Sequence, residues 1–170
     1  MLKKAPLLFI LVAVLVTAGL AVYFYPKLPN RMASHFGFNG QPNGWTSKLE
    51  FLGMMLSLQL GLAIFMLALT RIIRKLPISM VNIPHREYWL DENRADETLA
   101  WLGENLNWIN AATCFFLMAI FYMTLQANLA EKVELSSWEC YIALGLYLFV
   151  MSVFVAKIIF RFRTIPSNQD

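Results

Sequence analysis

Two histidines, two cysteines and a serine beside a histidine are the side chains of this 170-residue chain whose chemistry could go beyond packing. His35 and Ser34 open the stretch SHFGFNGQPNGW, Ser34 to Trp45. A metal site needs several donors converging on one ion. No cysteine lies in that stretch and no aspartate or glutamate precedes Glu50, so His35 would have to recruit Glu131, Glu134 or Glu139 from another loop. Ser34 and His35 could suggest a nucleophile and its base, but neighbours in an extended chain point apart and no acidic orienter is near. His35 is therefore expected to hydrogen-bond loop backbone and hold local shape, with pH sensing left open because imidazole titrates near neutrality. No catalytic residue, metal or cofactor is expected, and the chain reads as a non-enzyme.

The element that must position these residues is a membrane-embedded one. The chain is 58% hydrophobic and 15% charged, against roughly 45–50% and about 25% for soluble proteins. Four stretches, about 6–25, 51–73, 108–127 and 138–160, are almost free of charge. Each is long enough for a helix to cross a hydrocarbon core of about 30 Å, and none shows the period-2 alternation of barrel strands. The basic residues sort by side. Lys3, Lys4, Arg71, Arg74, Lys75, Arg86, Arg94, Lys157, Arg161 and Arg163 fall on one face; Lys27, Arg31, Lys48 and Lys132 fall on the other. Under the positive-inside rule both termini are cytoplasmic and the protein sits in a bacterial cytoplasmic (inner) membrane. The net charge of +3 is then topological, and no nucleic-acid partner is expected. The first span reads as an anchor rather than a cleaved signal peptide, because its apolar run passes Ala18 and continues into Tyr23, Phe24 and Tyr25. His35 and His85 fall on opposite faces and cannot share an ion. Cys114 and Cys140 differ in depth by roughly 15–20 Å, too far for a disulfide, so both are expected to be free.

The fold class is all-α: an integral membrane four-helix bundle with an extracytoplasmic cap loop, residues 26–50, and a cytoplasmic loop, residues 74–107, carrying an amphipathic helix. In the second span Gly53, Ser57 and Gly61 recur every four residues and mark a helix-packing face. Gln59 would be costly against lipid, so it is expected to bond to a neighbouring helix, with Ser57, Thr17 and Asn110 as candidate partners. Gly145, Ser152 and Ala156 supply small residues in the fourth span. Within the cytoplasmic loop Ala95, Leu99, Leu102, Leu106 and Ile109 step by 4, 3, 4 and 3, which predicts a surface helix in the headgroup region running into the third span, anchored by Trp101 and Trp108. In the cap, Pro26, Pro29 and Pro42 break helix and Gly37, Gly40 and Gly44 permit turns. His35, Phe36, Phe38 and Trp45 interleave with them, so the loop is expected to be a shaped, ordered lid over the bundle.

The segment LPNRMASHFGFNGQPNGWTSK, Leu28 to Lys48, resembles the signature of the domain of unknown function at the N-terminal part of SdpI-type bacterial membrane proteins. NIPHREYWLDENRADETLAWL, Asn82 to Leu102, is similar to the cytoplasmic loop of short, four-span members of that group. The resemblance implies immunity against a secreted, membrane-active toxin, with signalling through a repressor held at the membrane; the founding member is longer, with further spans. It also implies two sets of family-defining positions: Pro29, His35, Phe36, Asn39 and Gly40 outside, and Pro84, Tyr88, Trp89 and Arg94 inside. Trp45 joins the outer set as part of the candidate recognition cap.

Beyond the lipid bilayer, the partners open to such a protein are a peptide ligand outside, a protein partner in the membrane or cytoplasm, and a second copy of itself. Sensing or immunity against an envelope-active peptide is the leading expectation. An accessory subunit of a larger membrane complex is an alternative. A small four-helix transporter is another, weakened because every aspartate and glutamate falls in a loop or, like Glu139, near a span end, leaving none deep in the membrane to couple protons.

Overall fold

The computed structural model describes residues 4–165; Lys3, counted above among the basic residues, lies outside them. Four long helices form the frame: α1 Lys4–Phe24, α2 Lys48–Ile73, α4 Ala95–Leu129 and α5 Ser137–Arg163. All four are long and apolar enough to cross a bilayer, and the chain is a multi-pass membrane protein. Between α1 and α2 lies a hairpin of β1 Arg31–Phe36 and β2 Pro42–Ser47, and between α2 and α4 a 3₁₀ turn at Ile78–Met80 and the short helix α3, Arg86–Trp89. We call the two ends of the frame the hairpin end and the loop end.

Helix α4 is the axis on which α1, α2 and α5 all pack. Lipid tails are as apolar as leucine, so association there depends on close packing and on polar side chains that find partners across helices. Gln59 is buried and its Nε2 donates to the Cys114 carbonyl at 3.0 Å; Asn110 Nδ2 donates to the Ala63 carbonyl at 3.1 Å. The partner of Gln59 is thus backbone, not Ser57, Thr17 or Asn110. Apolar contacts fill in around these bonds. Ile10, Ala13, Ala63, Ala111 and Cys114 form one core cluster. Toward the hairpin end Ala21, Phe24, Leu28, Met32, Phe51, Leu52, Phe121 and Leu125 form another, with Phe51 and Phe121 stacked at 6.0 Å.

Three expectations need correction. The small-residue stripe of α2 is not a packing face within the chain: Ser57 is exposed, and a Cβ on Gly53 or Gly61 would meet nothing within 4 Å. Packing runs through Phe51, Gln59 and Ala63 instead, because the polar Gln59 has to face protein. The amphipathic segment is no separate headgroup helix. It is the first part of α4, a continuous 35-residue helix: no proline lies between Leu99 and Trp108 to break it, and Gly103, Asn105 and Asn107 are buried within the helix rather than ending it. At about 1.5 Å per residue α4 is about 52 Å long, so a good part of it lies beyond the hydrocarbon core, where Asp96, Glu97 and Glu104 are at home. Third, the cap holds a β-hairpin rather than turns alone. Cys114 and Cys140 are both free thiols.

Local chemistry starts each element. Ser47 and Glu50 form a reciprocal capping box at the start of α2: Glu50 N donates to Ser47 Oγ, and Ser47 N donates back to Glu50 Oε2 at 3.1 Å. Lys48 Nζ reaches the carbonyls of Tyr25 and Leu28 at 3.0 and 3.2 Å, joining the start of α2 to the end of α1. The hairpin is fastened to α4 by one carboxamide. Asn128 Oδ1 accepts from Ala33 N at 2.7 Å while its Nδ2 donates to Ala33 O at 3.0 Å, as a third strand would.

Asn128→Ala should therefore cost about 2–3 kcal/mol, the scale of leaving buried backbone groups unpaired. Gln59→Leu should cost about 0.5–1 kcal/mol, because the Cys114 carbonyl keeps its place in the helix. Thermal unfolding in detergent checks the ranking; equal losses would mean the hairpin does not depend on Asn128.

Candidate functional site

At the hairpin end a cleft of about 430 Å³ opens between the hairpin tip and the first turns of α5. Phe36, Phe38, Leu135 and Tyr141 give it apolar walls, while His35, Asn43 and Ser137 supply polar groups. Such a cleft, apolar with a few fixed polar groups, is the usual form of a small-molecule or side-chain binding site.

Two irregularities in the strands shape it. The antiparallel register pairs Ala33 with Trp45, His35 with Gly44 and Phe36 with Pro42, so Ser34 on β1 and Asn43 on β2 have no partner of their own. A bulge of this kind re-aims a side chain. Asn43 uses it to meet His35, whose Nδ1 donates to Asn43 Oδ1. The histidine is thus held by the side chain of Asn43, the second residue of β2, where loop backbone was expected. Gly44 lies directly across: a Cβ there would stand 2.9 Å from His35 Cβ.

The tip is clipped to the segment that leads into α5. Leu135 N donates to Gly40 O at 2.9 Å, and both Ser137 Oγ and Tyr141 OH donate to Phe38 O at 3.2 Å. Gly40 has φ of +76°, and a Cβ there would lie 2.1 Å from Leu135 O, so only glycine fits both the turn and the close approach. Asn39 Oδ1 accepts from Gln41 N at 3.1 Å and closes the turn from within. Hydrogen bonding from Lys132, 2.5 Å away, and then its charge hold the exposed Glu134 carboxyl below its usual range, with Gln41 adding a further hydrogen bond. A depressed folded-state pKa stabilises above the ordinary carboxylate range and is lost as pH falls through the lowered value, so acidification weakens this clip.

Of the cap positions singled out in the sequence, His35, Phe36 and Gly40 line the cleft and Asn39 shapes its rim. Pro29 sits in the exposed turn before β1, and Trp45 is 44% exposed with the Arg31 guanidinium 5.7 Å from its ring. Neither lines the cleft. Phe38, which the sequence marked only as one of several aromatics, is 94% exposed at the tip. Ser137, Tyr141 and Cys140 were not anticipated here; they come from α5, almost a hundred residues away, and only the fold brings them in. Among the described residues no three His, Cys, Asp or Glu side chains gather as metal ligands.

The loop-end positions form a second group. Tyr88, Trp89 and Arg94 come together: Tyr88 meets Trp89 edge-on at 5.1 Å, and the Arg94 guanidinium lies 4.1 Å from the Tyr88 ring. Pro84 is exposed and stands apart, just before His85, which adopts φ of +50° and whose Nε2 lies 3.2 Å from the Arg163 carbonyl of α5.

Gly40→Ala should destabilise the protein by more than about 1 kcal/mol, while Gly19→Ala, mid-helix with open space around it, should be neutral or mildly stabilising. Thermal unfolding in detergent at neutral pH separates the two. Similar behaviour would mean that the tip does not hold its contact with Leu135.

Residues 7–60, covering most of α1, the hairpin and the first half of α2, match the model of a domain of unknown function, DUF1648. No curated protein matches the chain, and no solved structure does. The match takes in the whole hairpin and leaves the loop-end group outside it.

Proposed function

We propose that this is a recognition protein of a bacterial cytoplasmic membrane, with the hairpin outside and both termini inside, sensing or conferring immunity against an envelope-active peptide. The observation that carries the reading is the cleft itself. It is an ordered, clipped, aromatic-lined hollow with a fully exposed phenylalanine at its rim. A peptide side chain could seat against Phe36 and Tyr141 while its backbone bonds to the polar groups around His35. The DUF1648 match over the hairpin and the resemblance to SdpI-type proteins support this, as does the concentration of lysine and arginine at the loop end. Tyr88 and Arg94 would then face the cytoplasm as the surface that meets a partner, with Trp89 buried beneath them as its support.

A second reading has its own support. The stripe of Gly53, Ser57 and Gly61 faces out of the frame, where a helix of another membrane protein could approach closely. That would suit an accessory subunit or a homo-oligomer.

In a background lacking Cys114 and Cys140, a cysteine at Asn39 should react with an impermeant thiol reagent on intact cells and one at Glu87 should not; the reverse pattern inverts the topology. A photo-reactive side chain at Phe38 in living cells should capture a specific peptide or protein, and His35→Ala or Asn43→Ala should abolish that capture. Recovery of lipid alone, or of this chain alone, would make the hairpin a lid and end the recognition reading.

A further inference from the structure

We propose that the loop end of the α4–α5 seam binds one anionic phospholipid, with its phosphate on Arg161 and Trp89 and an acyl chain running along the seam. Two buried hydrogen-bond donors stand there without an acceptor among the described residues: Trp89 Nε1–H and Arg161 Nε–H. Trp89 is only 8% exposed. Both belong to one cluster. The Arg161 guanidinium lies 5.1 Å from the Trp89 ring and 4.4 Å from the Trp101 ring, and Phe162 meets both tryptophans edge-on at 5.6 and 5.9 Å. The Lys157 ammonium is 5.5 Å from the Trp101 ring.

The chemistry of the missing acceptor follows from these donors. Indole and guanidinium have no acceptor atoms, and the guanidinium is always charged. Among the described residues no ion pair is seen at Arg161 or Lys157. An anionic oxygen therefore completes the cluster, and the planar fork of arginine suits phosphate in particular.

The position of the cluster favours a lipid as the source of that phosphate. Lys157 and Arg161 close the apolar run of α5, at the depth where tryptophans and basic residues meet headgroups. Farther along the same seam an apolar hollow of about 230 Å³ lies between α4 and α5, lined by Ala112, Phe116, Ala143, Tyr147 and Val150 among others. It begins eleven residues from the cluster on both helices, at Ala112 counted from Trp101 and at Val150 counted from Arg161. That is about 16 Å, close to half of a hydrocarbon core of about 30 Å, so one lipid can hold the cluster with its phosphate and the hollow with a chain.

Delipidated full-length protein in detergent tests this by native mass spectrometry and thermal unfolding, titrated with palmitoyl-oleoyl phosphatidylglycerol, with the phosphatidylcholine of the same chains, and with inorganic phosphate. The wild type should retain one phosphatidylglycerol and bind phosphatidylcholine about tenfold more weakly or worse. Arg161→Lys, which keeps the charge but loses Nε, should weaken phosphatidylglycerol about tenfold, the worth of one charge-assisted hydrogen bond. Trp89→Phe keeps an aromatic face but loses the N–H with its five-membered ring, and should weaken it in the same direction; it serves as the independent variant if Arg161→Lys does not fold. Ala143→Phe, which fills the hollow, should weaken the lipid as well. Unchanged phosphatidylglycerol affinity in Trp89→Phe and Arg161→Lys overturns the site. Stabilisation by inorganic phosphate equal to that by the lipid, insensitive to Ala143→Phe, overturns the lipid as its source.

Discussion

Polar groups at membrane depth must find their partners inside the protein, because lipid offers none. That constraint accounts for the central place of α4. Asn110 on α4 and Gln59 on α2 each reach the other helix's backbone, which sets the register of the pair. Once that register is set, Phe51 stacks on Phe121, and Met32 of β1 packs into the same core cluster. Asn128, further along α4, then meets Ala33 in both directions. At the opposite end Leu99 of the same helix packs with Val81 and Leu90 and gathers the loop. One helix with asparagines at intervals along its buried faces thus places the hairpin, the loop and the core.

Much of this frame was legible in the residues. Hydropathy found four spans because a bilayer requires long apolar runs. The polar Gln59 was correctly assigned to a helix contact, though its acceptor turned out to be a backbone carbonyl, a group that sequence does not distinguish. The start of α2 carried a readable signal that was passed over: Ser47 and Glu50 stand at capping-box spacing. The hairpin was harder to see. PNGWTS opens with proline, asparagine and glycine, and two unpaired residues, one in each strand, break the alternation that marks a strand. The continuity of α4 was hidden by a change of solvent along it, not by a change of conformation. The meeting of Gly40 with Leu135, like that of Phe38 with Tyr141, joins segments about a hundred residues apart, and local pattern does not encode such pairs.

The two sets of motif residues are held in different ways. At the hairpin end, backbone shape dominates: a glycine at positive φ, two strand irregularities and several bonds to carbonyls. At the loop end, rings and cations dominate, with Arg161 between Trp89 and Trp101 and Arg94 over Tyr88. The first arrangement is rigid because turns allow few alternatives. The second is held by contacts that tolerate small sliding, since a cation over a ring face has no single required angle.

Helices α4 and α5 both pass for ordinary spans by hydropathy, yet fourteen residues of α4 are buried and, of α5, only Phe162. Each therefore answers to a different judge over evolutionary time. Substitutions in α4 are tested against neighbouring side chains and carboxamides, so its spelling is confined to particular residues at particular places. Between its two fastened ends, most of α5 is tested only against hydrocarbon, for which leucine, isoleucine, valine and phenylalanine are near synonyms. Apolar exchanges along the exposed face of α5 should therefore leave the fold intact, while the same exchanges at the buried positions of α4 should not.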